Sequence, residues 1–110
     1  GSEGLGIIPG KVIKFSEQTN LKVPHMGWNK VQIKNLNDPV WQKIDDLTHF
    51  YFVHSYFPKP DNPGVSSSTT GYGVDFTSSI RFGNIFGTQF HPEKSQKSGL
   101  RLIENFLKST

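Results

Sequence analysis

The chain has 110 residues, of which 34% are hydrophobic and 19% charged, with a formal net charge of +3. This length and composition predict one domain with a modest core and exclude a disordered chain. The absence of cysteine excludes disulfides, thiolate zinc sites and a cysteine nucleophile within these residues. The basic residues are dispersed, which predicts no nucleic-acid partner, and the lack of a long apolar run predicts a soluble, cytoplasmic protein without a membrane partner.

The first half of the chain reads mainly as extended segments joined by turns. Residues 11–15 alternate like a short strand. Residues 21–34 predict two extended pieces around a turn at 24–27, which places Met26 and Trp28 where a core role is less natural. Residues 38–44 predict one helical turn with Asp38 as N-cap and Pro39 in the first helical position, and Trp41 is expected in the core.

The second half continues this β-rich pattern and ends in a helix. Residues 49–57 predict one strand covered on both sides, and residues 65–74 a polar, edge-like strand. Residues 78–82 and 85–90 predict a hairpin around a turn at Gly83 and Asn84. Ser95 is expected to cap a C-terminal helix with a helical repeat of apolar positions at Leu100, Leu102, Ile103, Phe106 and Leu107.

These elements together predict a β-rich α+β fold, with six or seven mostly antiparallel strands and one long C-terminal helix. Four histidines raise the question of a metal site. Only His49 and His54 are close in sequence, and five residues apart in a strand they face opposite sides, so we expect no metal.

A second chemical candidate is the pair His91 and Glu93, which follows an apolar segment and encloses Pro92. A carboxylate beside a histidine is typical of a relay in which the acid orients an imidazole that activates a nucleophile. The alternative is an unconnected surface histidine beside a surface acid, and the spacing alone favours that alternative. The pair therefore needs further support.

Three segments in order, PHMGWN (24–29), FYFVHSY (50–56) and GTQFHPEKS (87–95), resemble the C-terminal half of class I glutamine amidotransferases. FHPE alone indicates only this class. PHMGWN upstream of FVHSY is most similar to the family of glutaminase subunits of imidazole glycerol phosphate synthase, an enzyme of histidine biosynthesis. GLGIIPGKVIKF (4–15) and GNIFGTQFHPE (83–93) extend the resemblance over nearly all 110 residues.

The resemblance implies an α/β, Rossmann-like parent domain and roles for particular residues. It assigns proton transfer to His91, orientation of that histidine to Glu93, and contacts with the glutamine substrate to Ser55 and Tyr56. It implies no cofactor. It also implies a partner, a cyclase subunit with a (β/α)8 barrel that receives ammonia, and a surface facing that partner formed by His25, Met26, Trp28, Asn29, Tyr51 and Lys94.

The chain departs from the family in lacking the cysteine that attacks glutamine, together with the strand-to-helix elbow that carries it. We therefore expect residues 1–110 to be the C-terminal half of a glutaminase domain, inactive alone and completed by a separate N-terminal half. Such a piece is expected to expose an apolar face and to self-associate. The alternative is a non-catalytic interaction module that retains the cyclase-facing surface.

Overall fold

The computed structural model describes residues 10–15, 21 and 23–109, so residues 4–9 of the N-terminal resemblance lie outside it. The described part contains seven strands, β1 (Gly10–Lys14), β2 (His25–Ile33), β3 (Thr48–His54), β4 (Tyr56–Pro60), β5 (Ser66–Gly71), β6 (Asp75–Phe82) and β7 (Ile85–Thr88), and one α-helix, α1 (Gln96–Ser109). Single 3-10 turns span Pro39–Trp41, Pro63–Val65 and Pro92–Lys94.

The described strands form two sheets in which all pairings are antiparallel. Strands β1 and β4 pair with each other, and the larger sheet has the order β3-β2-β5-β6-β7. Aromatic side chains fill the core between these layers, and Phe15, Phe50 and Phe52 are fully buried. The β-rich α+β prediction is therefore confirmed. No helix in the described ranges is long and apolar enough to cross a membrane.

Strand β2 corrects the predicted turn at residues 24–27. Residues His25–Ile33 form one continuous strand, and burial alternates along it, with His25, Val31 and Ile33 on the inner face. Gly27 sits within the strand at a φ of 123°, a conformation that a side chain would strain. Met26 and Trp28 lie on the outer face and are 58% and 48% exposed.

The aromatic segment 49–57 is two strands rather than one. Strand β3 ends at His54 and β4 begins at Tyr56, with Ser55 between them, and the two strands belong to different sheets. Each strand is buried on one face, with Phe50 and Phe52 inside and His49 exposed. The continuous apolar run therefore supplies both layers of the core instead of one strand covered on both faces.

The predicted edge-like strand at residues 65–74 is in fact the centre of the larger sheet. Strand β5 lies between β2 and β6. Its serines are buried without loss of hydrogen bonding, because the Ser68 hydroxyl bonds the hydroxyls of Ser78 and Ser79 on β6. The Ser67 hydroxyl accepts a bond from the indole of buried Trp41 at 2.8 Å.

Three local predictions hold. The 3-10 turn Pro39–Trp41 has Asp38 as its N-cap, and the carboxylate accepts from the amide of Val40 at 3.0 Å. Strands β6 and β7 form the expected hairpin around Gly83, whose φ is 60°. Trp41 is 1% exposed, so its predicted burial is confirmed.

Helix α1 forms as predicted. Leu102 and Asn105 are buried, whereas Leu100 and Leu107 are 64% and 66% exposed. On the buried face, the Asn105 amide donates to two main-chain carbonyls beside the Pro39–Trp41 turn, those of Val40 and Gln42. The helix therefore leaves an apolar stripe, formed by Leu100, Ile103 and Leu107, open on its outer side.

Candidate active site

His91 lies where the chain leaves β7 and crosses the edge of β3. Phe90 forms a bridge with Phe52 of β3, and its ring packs against Phe50 at a centroid distance of 4.4 Å. The amide of His91 then donates to the carbonyl of Tyr51 at 2.8 Å. The core strand β3 thus holds the main chain of His91 in place.

Glu93 is brought to His91 by the 3-10 turn Pro92–Lys94. Proline is compatible with the first position of such a turn because its missing N–H is not needed there. The turn folds the chain back so that Nδ1 of His91 lies 2.9 Å from Oε1 of Glu93. The two side chains are 39% and 57% exposed, and within the described part of the chain Nε2 of His91 has no hydrogen-bond partner.

The electrostatics of the pair favour an ionised acid. The hydrogen bond from His91 is the main cause that lowers the pKa of Glu93 below its ordinary value. A carboxylate on Nδ1 means that the neutral imidazole carries its proton on that atom, so Nε2 presents a free lone pair. The arrangement is that of a general base whose tautomer is set by an acid.

Ser95 forms a connection that the sequence did not reveal. It was expected to cap α1, but its hydroxyl donates to the carbonyl of His91 at 2.7 Å and accepts from the amide of Tyr51 at 2.9 Å. The side chain is 1% exposed. A serine before a helix usually signals a cap, and no local pattern distinguishes one that bridges to a distant strand.

Ser55 and Tyr56 lie at the junction of β3 and β4, and both of their carbonyls are occupied. The Ser55 carbonyl accepts from the amide of Phe15 at 3.0 Å, and the Tyr56 carbonyl lies 2.8 Å from Nδ1 of His54. The side chain of Tyr56 is 48% exposed. The segment is near enough to His91 that the charge of His91 contributes to lowering the pKa of His54, after the larger effect of burial.

His25 was expected at the partner-facing surface, and the structure corrects this position. The residue is 3% exposed, because the alternation of β2 turns it inward. Its ring stacks on Phe52 and Tyr72 at centroid distances of 4.9 and 4.0 Å. Its ring nitrogens lie 3.0 Å from His54 and 3.2 Å from Asn29, so its polar contacts are made inside the fold.

Three of the other residues expected at that surface are exposed, and Asn29 is partly buried. Met26, Trp28 and Lys94 are exposed, and the indole of Trp28 meets the ring of Tyr51 edge to face at 5.9 Å. Asn29 is half-buried, and its amide is engaged internally with the Gly71 carbonyl and the Lys30 amide. The outer face of β2 and β3 therefore carries an aromatic and methionine patch formed by Met26, Trp28 and Tyr51.

A metal site at His91 is not supported in the part of the chain that the structure describes. The described residues contain no group of three or more His, Cys, Asp or Glu side chains arranged to hold a metal ion. A cavity of about 460 Å³ lies elsewhere, between β4 and β6, where Phe57, Pro58 and Phe76 are among its lining residues. Neither His91 nor Glu93 contributes to it.

Comparison with known proteins shows the family of this chain. The model of the family "Glutamine amidotransferase class-I" matches residues 5–110, so the chain belongs to the class I glutamine amidotransferases. Among individual proteins, it is similar to the imidazole glycerol phosphate synthase subunit HisH 1 of Campylobacter jejuni strain 81-176, with 52% identity over 104 residues. The corresponding HisH subunit of Rhodopirellula baltica is 50% identical over 104 residues.

These alignments cover 94% of this chain but only 51% and 50% of the two relatives. The chain thus spans about half the length of the curated relatives it matches. A crystal structure described as that of a putative GMP synthase protein from Thermoplasma acidophilum has a TM-score of 0.67 at 18% identity, covering 91% of this chain and 48% of that one. That likeness shows a shared fold.

Proposed function

We propose that this chain is the C-terminal half of a glutaminase subunit of imidazole glycerol phosphate synthase. The observation that carries the proposal is the hydrogen bond of 2.9 Å between Nδ1 of His91 and Oε1 of Glu93, in which Nε2 remains available. The similarity to HisH subunits, about 50% identity over almost the whole chain, supports this enzyme among the amidotransferases.

In the proposed mechanism, a cysteine from outside these residues supplies the nucleophile. His91 accepts the thiol proton on Nε2 and later delivers it to the departing ammonia. Glu93 keeps the imidazole in the Nδ1–H tautomer and stabilises the imidazolium that forms. Ser55 and Tyr56 contact the glutamine, in line with the resemblance of FYFVHSY to that part of the family.

The chain alone is proposed to be inactive, because it contains no cysteine. The cysteine-bearing half is the occupant that we propose for the exposed stripe on α1, where Leu100, Ile103 and Leu107 face outward. The chain's coverage of half the relatives' length is consistent with such a complement. Without it, the stripe favours self-association.

The test is reconstitution of glutamine hydrolysis. The chain is mixed with a cysteine-bearing N-terminal half of a HisH subunit, and glutamate release is measured. We expect no turnover from the chain alone and turnover from the mixture, with a loss of roughly 10²–10⁴-fold on His91→Ala. His49→Ala is the matched control, since His49 is an exposed histidine on strand β3. An unchanged rate in the His91→Ala mixture would overturn the assignment.

A second candidate function is binding to a cyclase barrel without catalysis. The observation that favours it is the exposed patch of Met26, Trp28 and Tyr51, since exposed Met and aromatic residues are frequent in interfaces. Lys94 is proposed to lie at the edge of the same contact. The test is capture of a (β/α)8-barrel cyclase subunit by this chain, compared with Trp28→Ala and with the control Leu36→Ala, which alters an exposed residue outside the patch. Equal capture by all three proteins would exclude the patch as the contact.

A further inference from the structure

His25 and His54 form a buried histidine pair that the proposed chemistry does not use. They lie opposite each other on β2 and β3, and Nδ1 of His25 is 3.0 Å from Nε2 of His54. His25 is 3% exposed and His54 is half-buried. Both rings lie against Phe52 and Phe76, in the aromatic core directly beneath the Ser55–Tyr56 junction.

The proton arrangement of the pair follows from the groups at its two ends. At one end, Oδ1 of Asn29 accepts from the amide of Lys30 and Nδ2 donates to the carbonyl of Gly71, both at 2.8 Å. The amide orientation of Asn29 is thereby set, and Nδ2 faces Nε2 of His25 at 3.2 Å. Because Nδ2 only donates, Nε2 of His25 must be an acceptor.

At the other end, a carbonyl can only accept. The Tyr56 carbonyl lies 2.8 Å from Nδ1 of His54, so Nδ1 carries the proton and Nε2 of the same neutral ring is an acceptor. His25 then donates through Nδ1 to that acceptor. One arrangement satisfies every contact, and its donors run in a single direction from Asn29 through His25 and His54 to Tyr56.

An added proton breaks this arrangement. A proton on Nε2 of His54 faces the Nδ1–H of His25, and a proton on Nε2 of His25 faces the amide of Asn29. Burial opposes that proton as well: it lowers the pKa of His25 from 6.5 to about 4 and is the main cause that lowers the pKa of His54. Both rings are therefore neutral near pH 7.

Few titratable groups surround the pair. Besides each other, the two rings meet Tyr72, which stacks on His25, and the charge of His91, which lowers the pKa of His54. The other rings against them are those of Phe15, Phe52 and Phe76. Among the described residues no carboxylate is hydrogen-bonded to either histidine. The positions of the protons on the two rings therefore depend on the Asn29 amide beside His25 and the Tyr56 carbonyl beside His54.

We propose that His25 and His54 are positioning residues that orient the Ser55–Tyr56 segment for binding of glutamine. This rests on the proposed function, which assigns that segment to the substrate. Two consecutive peptide groups are held, since the Ser55 carbonyl accepts from Phe15 and the Tyr56 carbonyl accepts from His54. Only the second of these contacts comes from a side chain, so His54 holds the Tyr56 carbonyl, and His25 supports that contact by donating to Nε2 of His54, which is compatible only with the tautomer that carries its proton on Nδ1.

The first arm of the test does not depend on activity. Long-range ¹H–¹⁵N spectra of histidine-labelled protein at pH 7 are expected to show both His25 and His54 as neutral Nδ1–H tautomers. The carbonyl ¹³C resonance of Tyr56 is expected to move in His54→Phe and to return in His54→Asn, whose amide nitrogen occupies the position of Nδ1. An Nε2–H tautomer on either ring, or an unmoved Tyr56 resonance, would overturn the positioning role.

The second arm measures glutamine hydrolysis in the assembled two-half protein. Loss of one hydrogen bond is expected to raise KM for glutamine roughly three- to tenfold in His54→Phe, with kcat changed less than twofold. His54→Asn is expected to restore KM, and His49→Asn, an exposed histidine on the same strand, to leave both constants unchanged. A fall in kcat with unchanged KM would contradict substrate positioning.

The two arms separate the two proposals. Absence of glutamate release from the assembled protein with native histidines would refute the proposed function, and the substrate-binding part of this proposal with it. The tautomers and the Tyr56 resonance would then still decide whether the pair positions the segment. Conversely, normal hydrolysis with an unchanged KM in His54→Phe would refute this proposal and leave the proposed function intact.

Discussion

The amide of His91 donates to the carbonyl of Tyr51 at 2.8 Å, which joins the candidate general base to the core strand β3. On the other side of the same junction, the Ser95 hydroxyl bonds the carbonyl of His91 and the amide of Tyr51. The amide of His91 is thus bonded to β3, and its carbonyl is shared between the Ser95 hydroxyl and the Lys94 amide of its own turn. The position of this histidine is a property of the sheet and helix together rather than of the FHPE segment.

Ser95→Ala is expected to destabilise the fold by about 1–3 kcal/mol, because it leaves the amide of Tyr51 without its acceptor in a site that is 1% exposed. Urea denaturation measures the loss, and hydrogen exchange at the amide of His91 is expected to accelerate. Ser98→Ala, a serine three residues further along, is the matched control and is expected to change neither. Unaltered exchange at His91 in Ser95→Ala would show that the hydroxyl does not hold the junction.

Gly99→Ala is expected to displace the turn that carries Glu93. A Cβ at this position would lie 1.7 Å from the carbonyl oxygen of Pro92, and backbone atoms cannot rotate away. The alanine would otherwise favour the helix by about 1 kcal/mol, so a net destabilisation of about 1–3 kcal/mol means that the clash dominates.

Urea denaturation tests this expectation, and the ring ¹⁵N shifts of His91 report whether Glu93 has moved from Nδ1. Gly87→Ala is the control, because the nearest atom to its added Cβ would be a side-chain carbon of Ile80 at an ordinary 3.6 Å. Gly99→Ala as stable as the parent, with His91 unshifted, would contradict the close packing of α1 on the Pro92–Lys94 turn.

Acidification from pH 7 to pH 5 is expected to destabilise the protein through its buried histidines. The pKa of His25 is about 4 in the folded protein and near 6.5 when unfolded, so between these values only the unfolded chain binds the proton. The contribution of neutral His25 to the free energy of unfolding is therefore fully present above pH 6.5 and is lost as the pH falls toward 4. Between pH 7 and 5 the loss is about 2 kcal/mol.

Urea midpoints measured at half-unit steps from pH 7.5 to 5 test this dependence, and the lowered pKa of His54 adds to it in the same direction. This window lies above the titration of Asp38, whose pKa is lowered further by its hydrogen bond to Arg81. His49→Asn, which removes an exposed histidine, is expected to keep the same slope. A flat profile across this range would mean that the buried pair is not neutral.

Asp38→Ala is expected to cost about 2 kcal/mol, because this carboxylate has two tasks. It caps the Pro39–Trp41 turn through the Val40 amide, and it receives Nε and Nη2 of Arg81 at 3.0 and 2.8 Å. Asp38→Asn keeps an oxygen for the cap but replaces the other carboxylate oxygen with an NH2 group that cannot accept from Arg81, so a loss smaller than that of Asp38→Ala is expected in urea denaturation. Asp45→Ala, at an exposed carboxylate, is the control, and equal losses for Asp38→Ala and Asp38→Asn would show that the cap contributes nothing.

The sequence by itself was sufficient for features whose signals are local. The Asp38–Pro39 cap, the hairpin around Gly83 and the extent of α1 each depend on residues adjacent in the chain, and all three were predicted. The pairing of His91 with Glu93 was a candidate from the sequence, although the spacing alone favoured an unconnected histidine and acid; in the structure the three-residue turn Pro92–Lys94 brings the two side chains together. Motif order also sufficed to recognise the family.

The tertiary structure decided everything that depends on which surfaces meet. An amphipathic pattern does not tell which face of α1 is covered, and in the structure the buried face includes Asn105, whose amide donates to two distant carbonyls. Serine-rich β5 became the central strand because β6 supplied hydroxyl partners for it. Ser95 and His25 owe their roles to β3, more than twenty-five residues away in sequence, and contacts at that range leave no local pattern to read.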